Sequence, residues 1–557
     1  MKKCVFFIGL SLLLCMGVVK GQATVRGVLF DSSNGEAIPF ANVTLVAQDS
    51  TLQSRRTYGA ATDLGGVFVI SKVPTGNYTI RVRYVGYEEI VSPVSVAGSQ
   101  TLKLKLNMNR SATLLHTVEI RDSRAEERKM QTSVSVEKIT ARQIEQMPSV
   151  GGQSDLAQYL QVLPGVSSTG DQGGQLHIRG GSMIQNLCLL DGMIVYNPFH
   201  SIGLYSIFET DMLLNVDVYT GGFGAEYGGR ISSVMDITTR DGNKHRHSGS
   251  VGLNTFGASA MLEGPLKKET PQSKSTITYI LSAKNSYLSK SSKVFYPSIE
   301  GGLPFDYMDL YGKLTLNSGT GSKVSLYGFR YDDSVHNYQD VANYHWVNYG
   351  LGGRFSVLTG SSAVLDGAVA YSDYRIGLND VSGLDKYSAI NGLNMSFDVT
   401  NFFGQNRLKC GMSMESYSTD YLFYNSYKLR TEQQEHTNSI SGYGTFRWIL
   451  DKWILEPGLR YIYYNSLSEG SLEPRLAAKY KCSDKLRLKF SGGMYSQVFL
   501  DARSDNDIVN LFSGFLTSVH LNEPATFSGR EASSCVRRSS HLVLGVEYDF
   551  SPHLTTN

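Results

Sequence analysis

An H-x-x-E, His116 to Glu119, has the spacing with which zinc peptidases bring an imidazole and a carboxylate to one metal, beside a third ligand and a separate glutamate base. HTVEI (His116 to Ile120) is β-branched and reads as extended, so positions an odd number apart face opposite ways and cannot share a metal. His245 and His247 in NKHRHSG and His200 in NPFHS are residue types able to ligate haem or iron, but turn histidines beside a strand start read as solvated side chains. GGFGAEYGG (Gly221 to Gly229) has neither the GxGxxG nor the GxxxxGK spacing of a phosphate loop. Cys188, Cys410, Cys482 and Cys535 are dispersed without CxxC or Cys/His zinc spacing; they read as isolated thiols, with one pairing left open in an exported chain. No Ser/His/Asp constellation can be read either. The expectation is no catalytic centre, no metal and no cofactor: not an enzyme.

Four charged residues set among glycines carry more information. Arg179, Asp191, Glu226 and Arg230 fall within Leu176 to Arg240, beside Gly180, Gly181, Gly192, Gly221 and Gly222. The stretch predicts short strands at Leu176 to Arg179, Asn186 to Leu190, Asn215 to Tyr219 and Ser233 to Thr239. Glycine takes φ > 0 without penalty, so turns at Gly180-Gly181, Asp191-Gly192 and Gly221-Gly222 describe a compact, tightly turned β-domain. It is small and needs a container.

The rest of the chain supplies candidates for one. Met1 to about Gly21 has Lys2 and Lys3, an apolar run from Val5 to Val19 and small residues at Gly21 and Ala23, which is a secretory leader too short to span a membrane. Cys15 would suggest a lipid anchor, but Leu14 stands where a small residue should precede it. A formal net charge of +2 over 557 residues excludes a strong bias toward nucleic acid. Thr24 to Leu106 shows runs of partial period-two alternation broken by Asn34-Gly35, Asp63 to Gly66, Pro74 and Gly76-Asn77, which predicts a separate antiparallel sandwich.

From Ser248 onward the pattern is a train of hairpins. Phe446, Trp448 and Leu450 alternate with Thr445 and Arg447; across a turn, Trp453, Leu455, Leu459 and Tyr461 oppose Glu456 and Arg460. The next pair sets Leu476, Ala478, Tyr480, Leu486, Leu488 and Phe490 against Arg475, Lys479, Lys485, Arg487 and Lys489. One face suits lipid and the other water, as in an outer-membrane barrel. A soluble two-sheet protein alternates in the same way.

DLAQYLQVLPGV (Asp155 to Val166), IRGG (Ile178 to Gly181), LLDGMIVYNP (Leu189 to Pro198) and VDVYTGGFGAEYGGRISSVMDITTR, ending at Arg240, resemble in order the plug of TonB-dependent outer-membrane receptors. TDLGGVFVISKVPTGNYTIRVRYVGY resembles the carboxypeptidase-regulatory-like domain found ahead of the plug in receptors of Bacteroidetes-type bacteria, and EPRLAAKY and FSGGMYSQ resemble the family's barrel. The resemblance implies a mostly β chain: leader 1–21, β-sandwich 24–106, linker 107–130, small α+β plug 131–240 and an antiparallel transmembrane barrel 248–557. It implies outer-membrane localisation and uptake of an unidentified small-molecule or oligomeric ligand (iron chelate, haem, cobalamin, saccharide or peptide). The partners it implies are a TonB-type periplasmic energy transducer and membrane lipid, with room for a surface lipoprotein.

The linker would hold the TonB box, a segment that adds to the transducer's sheet through main-chain hydrogen bonds; Thr117, Val118, Glu119 and Ile120 fit it, and so does a plain interdomain strand. The arginines of IRG and EYGGR imply charge pairs that hold the plug yet can be undone by a pull, against the alternative of solvated charges in a watery lumen. A non-transporting surface receptor or adhesin is the other functional reading. The roughly 310 residues from Ser248 to Asn557, at roughly 20 per strand and connection, supply about 12 to 15 strands against the 22 of the plugged class, so an incomplete barrel is expected. EASSCVRRSS (Glu531 to Ser540) also departs from the strand pattern.

Overall fold

The structure, a computed structural model, describes residues 23–48, 57–111, 131–168, 176–503, 513–517, 534–551 and 554–556, apart from positions 64, 85, 98–100, 150–151, 296, 298–300, 320, 339–341, 360–362, 381–382, 425–426 and 484. The leader and the box-like segment Thr117 to Ile120 lie outside the described residues.

Seven strands make the N-terminal unit: β1 (Ala23–Asp31), β2 (Asn42–Ala47), β3 (Thr57–Ala61), β4 (Val67–Val73), β5 (Gly76–Arg83), β6 (Ile90–Val96) and β7 (Thr101–Met108). They form two sheets, β4-β1-β7 and β3-β2-β5-β6. Alternation orients them: Tyr78, Ile80 and Val82 of β5 enter a core with Val25, Leu29, Val43, Leu45, Phe68 and Ile70. The expected antiparallel sandwich needs one correction, because β1 and β7 pair in parallel from Thr24↔Thr101 to Asp31↔Met108. These are the first and last strands, so the whole domain serves as the crossover that a parallel pair requires. The core also runs past Leu106, with Met108 fully buried and Arg110 2.8 Å from Asp31. Expressed alone, residues 23–111 are therefore expected to be monomeric and to melt cooperatively; a broad calorimetric transition would contradict this.

The plug comprises β8 (Val136–Ile139), α1 (Ala141–Glu145), α2 (Leu156–Gln161), β9 (Val166–Ser168), β10 (Leu176–Ile178), β11 (Asn186–Leu190), β12 (Met193–Ile194), β13 (Leu213–Tyr219) and β14 (Ser233–Thr239). A mixed sheet β12-β11-β14-β13-β8 forms its centre. Asp155 caps α2 by accepting from Ala157 N at 2.8 Å. Asp191 and Gly192, at φ 50° and 92°, make the two-residue turn between β11 and β12.

The container is one antiparallel sheet that takes β15 (Ser248–Leu253), β16 (Gly257–Lys267), β17 (Thr276–Ser286), β18 (Phe305–Asn317), β19 (Lys323–Tyr338), β20 (Ala342–Thr359), β21 (Ala363–Asp380), β22 (Lys386–Phe403), β23 (Asn406–Tyr424), β24 (Arg430–Ile449), β25 (Trp453–Tyr464), β26 (Glu469–Lys481) and β27 (Leu486–Gln497) in sequence. After a two-stranded hairpin, β28 (Phe499–Arg503) with β29 (Ser513–Thr517), it continues into β30 (Arg537–Ser551) and β31 (Leu554–Thr556). Among the described residues no pairing joins β15 to β31. RRSS, expected outside the strand pattern, is the start of β30: Arg537 pairs with Gln497, and Arg538 lies 2.6 Å from Glu469. Polar residues suit that end because the strand there has left the apolar band.

The two faces are sorted as their alternation requires. Leu459, Leu472, Leu476, Leu488, Leu542 and Leu544 are exposed on the outside with Trp448 and Trp453, while Lys284, Lys313, Arg460, Glu473, Arg475 and Lys479 are buried inside. Wall residues from Lys284 on β17 to His541 on β30 touch the plug. The sandwich docks at the turn ends of the strands, where Val28, Phe30, Val67 and Val69 pack against Leu358 and Phe402. There Arg240, at the end of the plug, lies 2.9 Å from Glu36 and 2.5 Å from Glu263.

Candidate functional site

Among the described residues, three places where polar side chains of the wall hold the plug stand out. At the β11–β12 turn, buried Asp191 accepts from Thr239 N at 3.1 Å, from the Thr239 hydroxyl, and from Lys313 Nζ at 3.3 Å. Lys313 also donates to Thr239 O at 3.1 Å and lies 3.7 Å from Asp241, which Lys323 approaches at 3.7 Å. Burial opposes the charge of Asp241, but Lys323, Lys313 and Lys244 outweigh it and hold the carboxyl well below the usual range. Tyr327 and Asn394 cap the turn by donating to the carbonyls of Asp191 and Gly192.

At the apex, His200 is fully buried, with Nε2 2.9 Å from Asp309 and Nδ1 3.5 Å from Asp333, and its ring stacks on Tyr307 at 3.9 Å. Ser201 donates both its N–H and its hydroxyl to Asp333. Beside them Lys284 bridges Asp155, at 3.1 Å, and Ser206 O, at 2.9 Å. The helix cap Asp155 thus also pins the plug to β17. Burial works against a charged His200, but the two aspartates outweigh it and push the imidazole up to about 9. A raised histidine contributes stability that is fully present below its unfolded value and is lost as pH rises through the folded one. The expected loss is about 3 kcal/mol between roughly pH 6.5 and 9. Melts of wild type and His200→Gln across that window check it; parallel curves would refute it.

The third place is the loop between β13 and β14. Arg475 donates to the carbonyls of Gly224 and, at 2.6 Å, Tyr227, and Arg460 donates to those of Ala225 and Glu226, each at 3.1 Å. Ser491 donates to Gly222 O at 2.6 Å, and Gly222, at φ 65°, comes so close that a Cβ would lie 2.6 Å from the Ser491 hydroxyl. These grips read the path of the plug backbone rather than its side chains.

Asp191 and its glycine turn are thus at the interface, but the pairing of the two motif arginines needs correction. Arg179, at φ 49°, is exposed and bonds Ser135 within the plug. It follows that Gly180 and Gly181 shape a turn of the plug's own, and Gly221 lies beside Arg179. Arg230 is 3% exposed and stacks on the Phe499 ring at 4.2 Å; among the described residues neither arginine forms an ion pair. Glu226 instead lines a polar cavity of about 170 Å³ between plug and wall, with Asp236, Arg354, Lys409 and Glu415. His200, expected in solvent, is buried because its loop meets two wall carboxylates, whereas His245 and His247 are exposed. Lys284, Lys313 and the plug's Asp155 were not singled out by the sequence; Arg460 and Arg475 were placed on the inner face, but no local signal tells which inner residue meets the plug.

Two family models match the chain: the carboxypeptidase regulatory-like domain over residues 24–109 and the TonB-dependent receptor plug domain over residues 128–234. The TonB-dependent transporter Oar of Myxococcus xanthus is 25% identical over 239 residues, a match that covers 42% of this chain but only 22% of that relative. Among solved structures, the ferric enterobactin receptor PfeA of Pseudomonas aeruginosa shares the fold at a TM-score of 0.53 and 16% identity, over 76% of this chain and 70% of its own. The siderophore receptor PirA of the same species matches at 0.53 and 16%, over 76% and 73%. The chain thus carries a carboxypeptidase-regulatory-like domain followed by a TonB-dependent receptor plug domain, and it shares its fold with outer-membrane receptors of that kind.

Proposed function

We propose that this protein takes up a ligand across the outer membrane, binding it above the plug and admitting it when a TonB-type periplasmic transducer pulls on the segment before residue 131. The observation that carries the reading is the plug's attachment by buried ion pairs and carbonyl grips. Such contacts form at a desolvation cost and fail together once water reaches them, so they hold firmly yet release under load. The ligand class favoured by the fold's neighbours is an iron chelate, since PfeA is named as a ferric enterobactin receptor and PirA as a siderophore receptor; haem, cobalamin, saccharides and peptides are the other classes the fold admits. Thr117 to Ile120 are the residues assigned to coupling, and Asp191, with Lys313, to the latch. Membrane lipid contacts the outer face, and a surface lipoprotein fits as a further partner. The reading assigns no reaction, cofactor or nucleic acid to the chain.

The test is accumulation of radioactive iron chelates in cells with and without the protein. Uptake that requires both the protein and the transducer supports the proposal. Surface binding of the chelates without accumulation would overturn it.

A further inference from the structure

The hairpin of β28 and β29 does not join the wall. It lies between β27 and β30 in the chain, pairs among the described residues only with itself, and folds inward onto the plug. Phe515 N donates to Ser388 Oγ of β22 at 3.0 Å, and Gln433 of β24 reaches Thr517 O at 3.4 Å. Phe499 and Phe515 are each 1% exposed.

Their surroundings have the form of a ligand site. The Phe515 ring meets Tyr196 of the plug edge-on at 5.5 Å and Tyr374 of β21 at 5.8 Å. Phe499 lies 4.5 Å from Tyr417 of β23, and beneath it is the Arg230 guanidinium of the plug. Aromatic edges and a cation over a ring face both favour a flat π-system. The phenyls leave the polar part of the box unmet: Arg230 Nε, and Thr437 Oγ1 on the strand position opposite Tyr417, are buried without a hydrogen-bond partner among the described residues. A hydrocarbon ring can cover a guanidinium face but accepts no hydrogen bond. Buried donors are seldom left so.

We propose that the hairpin is an intramolecular occupant of the ligand site, its two phenyls filling a tyrosine-lined box over Arg230 that accepts a flat aromatic ring bearing an anionic oxygen once the hairpin lifts. The inference rests on the uptake reading for its purpose and deepens it by naming the ligand chemistry. The ring takes the place of a phenyl, and the anionic oxygen accepts from Arg230. Because Arg230 belongs to the plug, exchange of hairpin for ligand changes a plug contact directly.

The fluorescence of one tryptophan reports the exchange. The chain has three tryptophans; Trp448 and Trp453 face outward, whereas Trp346 is buried, stacked on Tyr344, with Tyr374 beside it. In a Trp448→Phe/Trp453→Phe background, purified protein is titrated with iron(III) tris(catecholate), a flat-ringed anion, and with neutral, non-aromatic iron(III) tris(acetohydroxamate). Phe499→Ala/Phe515→Ala is expected to tighten catecholate binding about tenfold, since self-occupancy lowers the competent fraction. Adding Arg230→Met should weaken it by about tenfold, through loss of the charge-assisted contact. Ser388→Ala, which removes only the hydroxyl that holds Phe515 N–H, should tighten it in the same direction by about twofold to threefold even where the double variant folds poorly.

Unchanged or weaker binding in the Phe499→Ala/Phe515→Ala and Ser388→Ala variants would overturn the occupant. Equal response to the hydroxamate complex, indifference to Arg230, or no binding at all would overturn the aromatic anion. The titration needs no transducer, so its failure is distinct from a failure of uptake.

Discussion

Deletion of Leu115 to Asp122 is expected to abolish uptake while leaving membrane assembly and ligand binding intact. The segment lies outside the described residues, but Gln131 and Thr132, downstream of it, are anchored to the wall. Lys479 of β26 donates to Gln131 O at 3.2 Å, and Thr132 donates to Glu456 of β25 at 2.5 Å. Lys479 in turn lies 2.8 Å from Glu547, which Arg487 approaches at 2.9 Å. A pull on the chain before residue 131 therefore arrives first at two hydrogen bonds and a charge cluster at the rim of the wall. Strand addition works through the main chain, so single substitutions at Thr117 to Ile120 should do far less than removal of the segment, except for proline, which removes a donor. Transport and binding assays on the same cells check the prediction; undiminished transport would move coupling elsewhere in the chain.

The sequence showed the strands because a wall strand alternates every second residue between lipid and lumen, and Arg460 and Arg475 fell on the inner side without knowledge of neighbours. The Asp191-Gly192 turn was equally local, since only a few residue types adopt positive φ cheaply. Partner identity was not local. His200 meets Asp309 and Asp333 across more than a hundred residues, and nothing in NPFHS marks the loop as buried. The same holds for the parallel β1–β7 pair, fixed by closure of the whole sandwich. The inward hairpin was missed because its runs, FLDAR and SGFLT, are five residues each and sit in a long connection between two wall strands. For Arg230 the sequence left a charge pair, implied by the resemblance, open against a solvated charge; its neighbour is instead a phenyl that this hairpin brings there.

Lys313→Met is expected to destabilise the plug's seat by about 3 to 5 kcal/mol, the cost of stranding buried charge. Lys313 is the more damaging half of the latch because it serves two carboxylates. Without it Asp191 keeps only its Thr239 donors, and Asp241 keeps Lys323 at 3.7 Å. Asp191→Asn is expected to cost less: asparagine tolerates the left-handed turn at φ 50°, and Lys313 retains Asp241 and the Thr239 carbonyl. The double variant should be more stable than Lys313→Met alone, since removing the stranded charge removes the penalty, and a double-mutant cycle isolates the coupling. Urea titration of the membrane-embedded protein, followed by trypsin cleavage of the plug, measures all three. If the double variant were as unstable as the sum of the singles, the pair would not be acting as a unit, and the grip of Arg460 and Arg475 on the loop carbonyls would have to carry the plug's attachment.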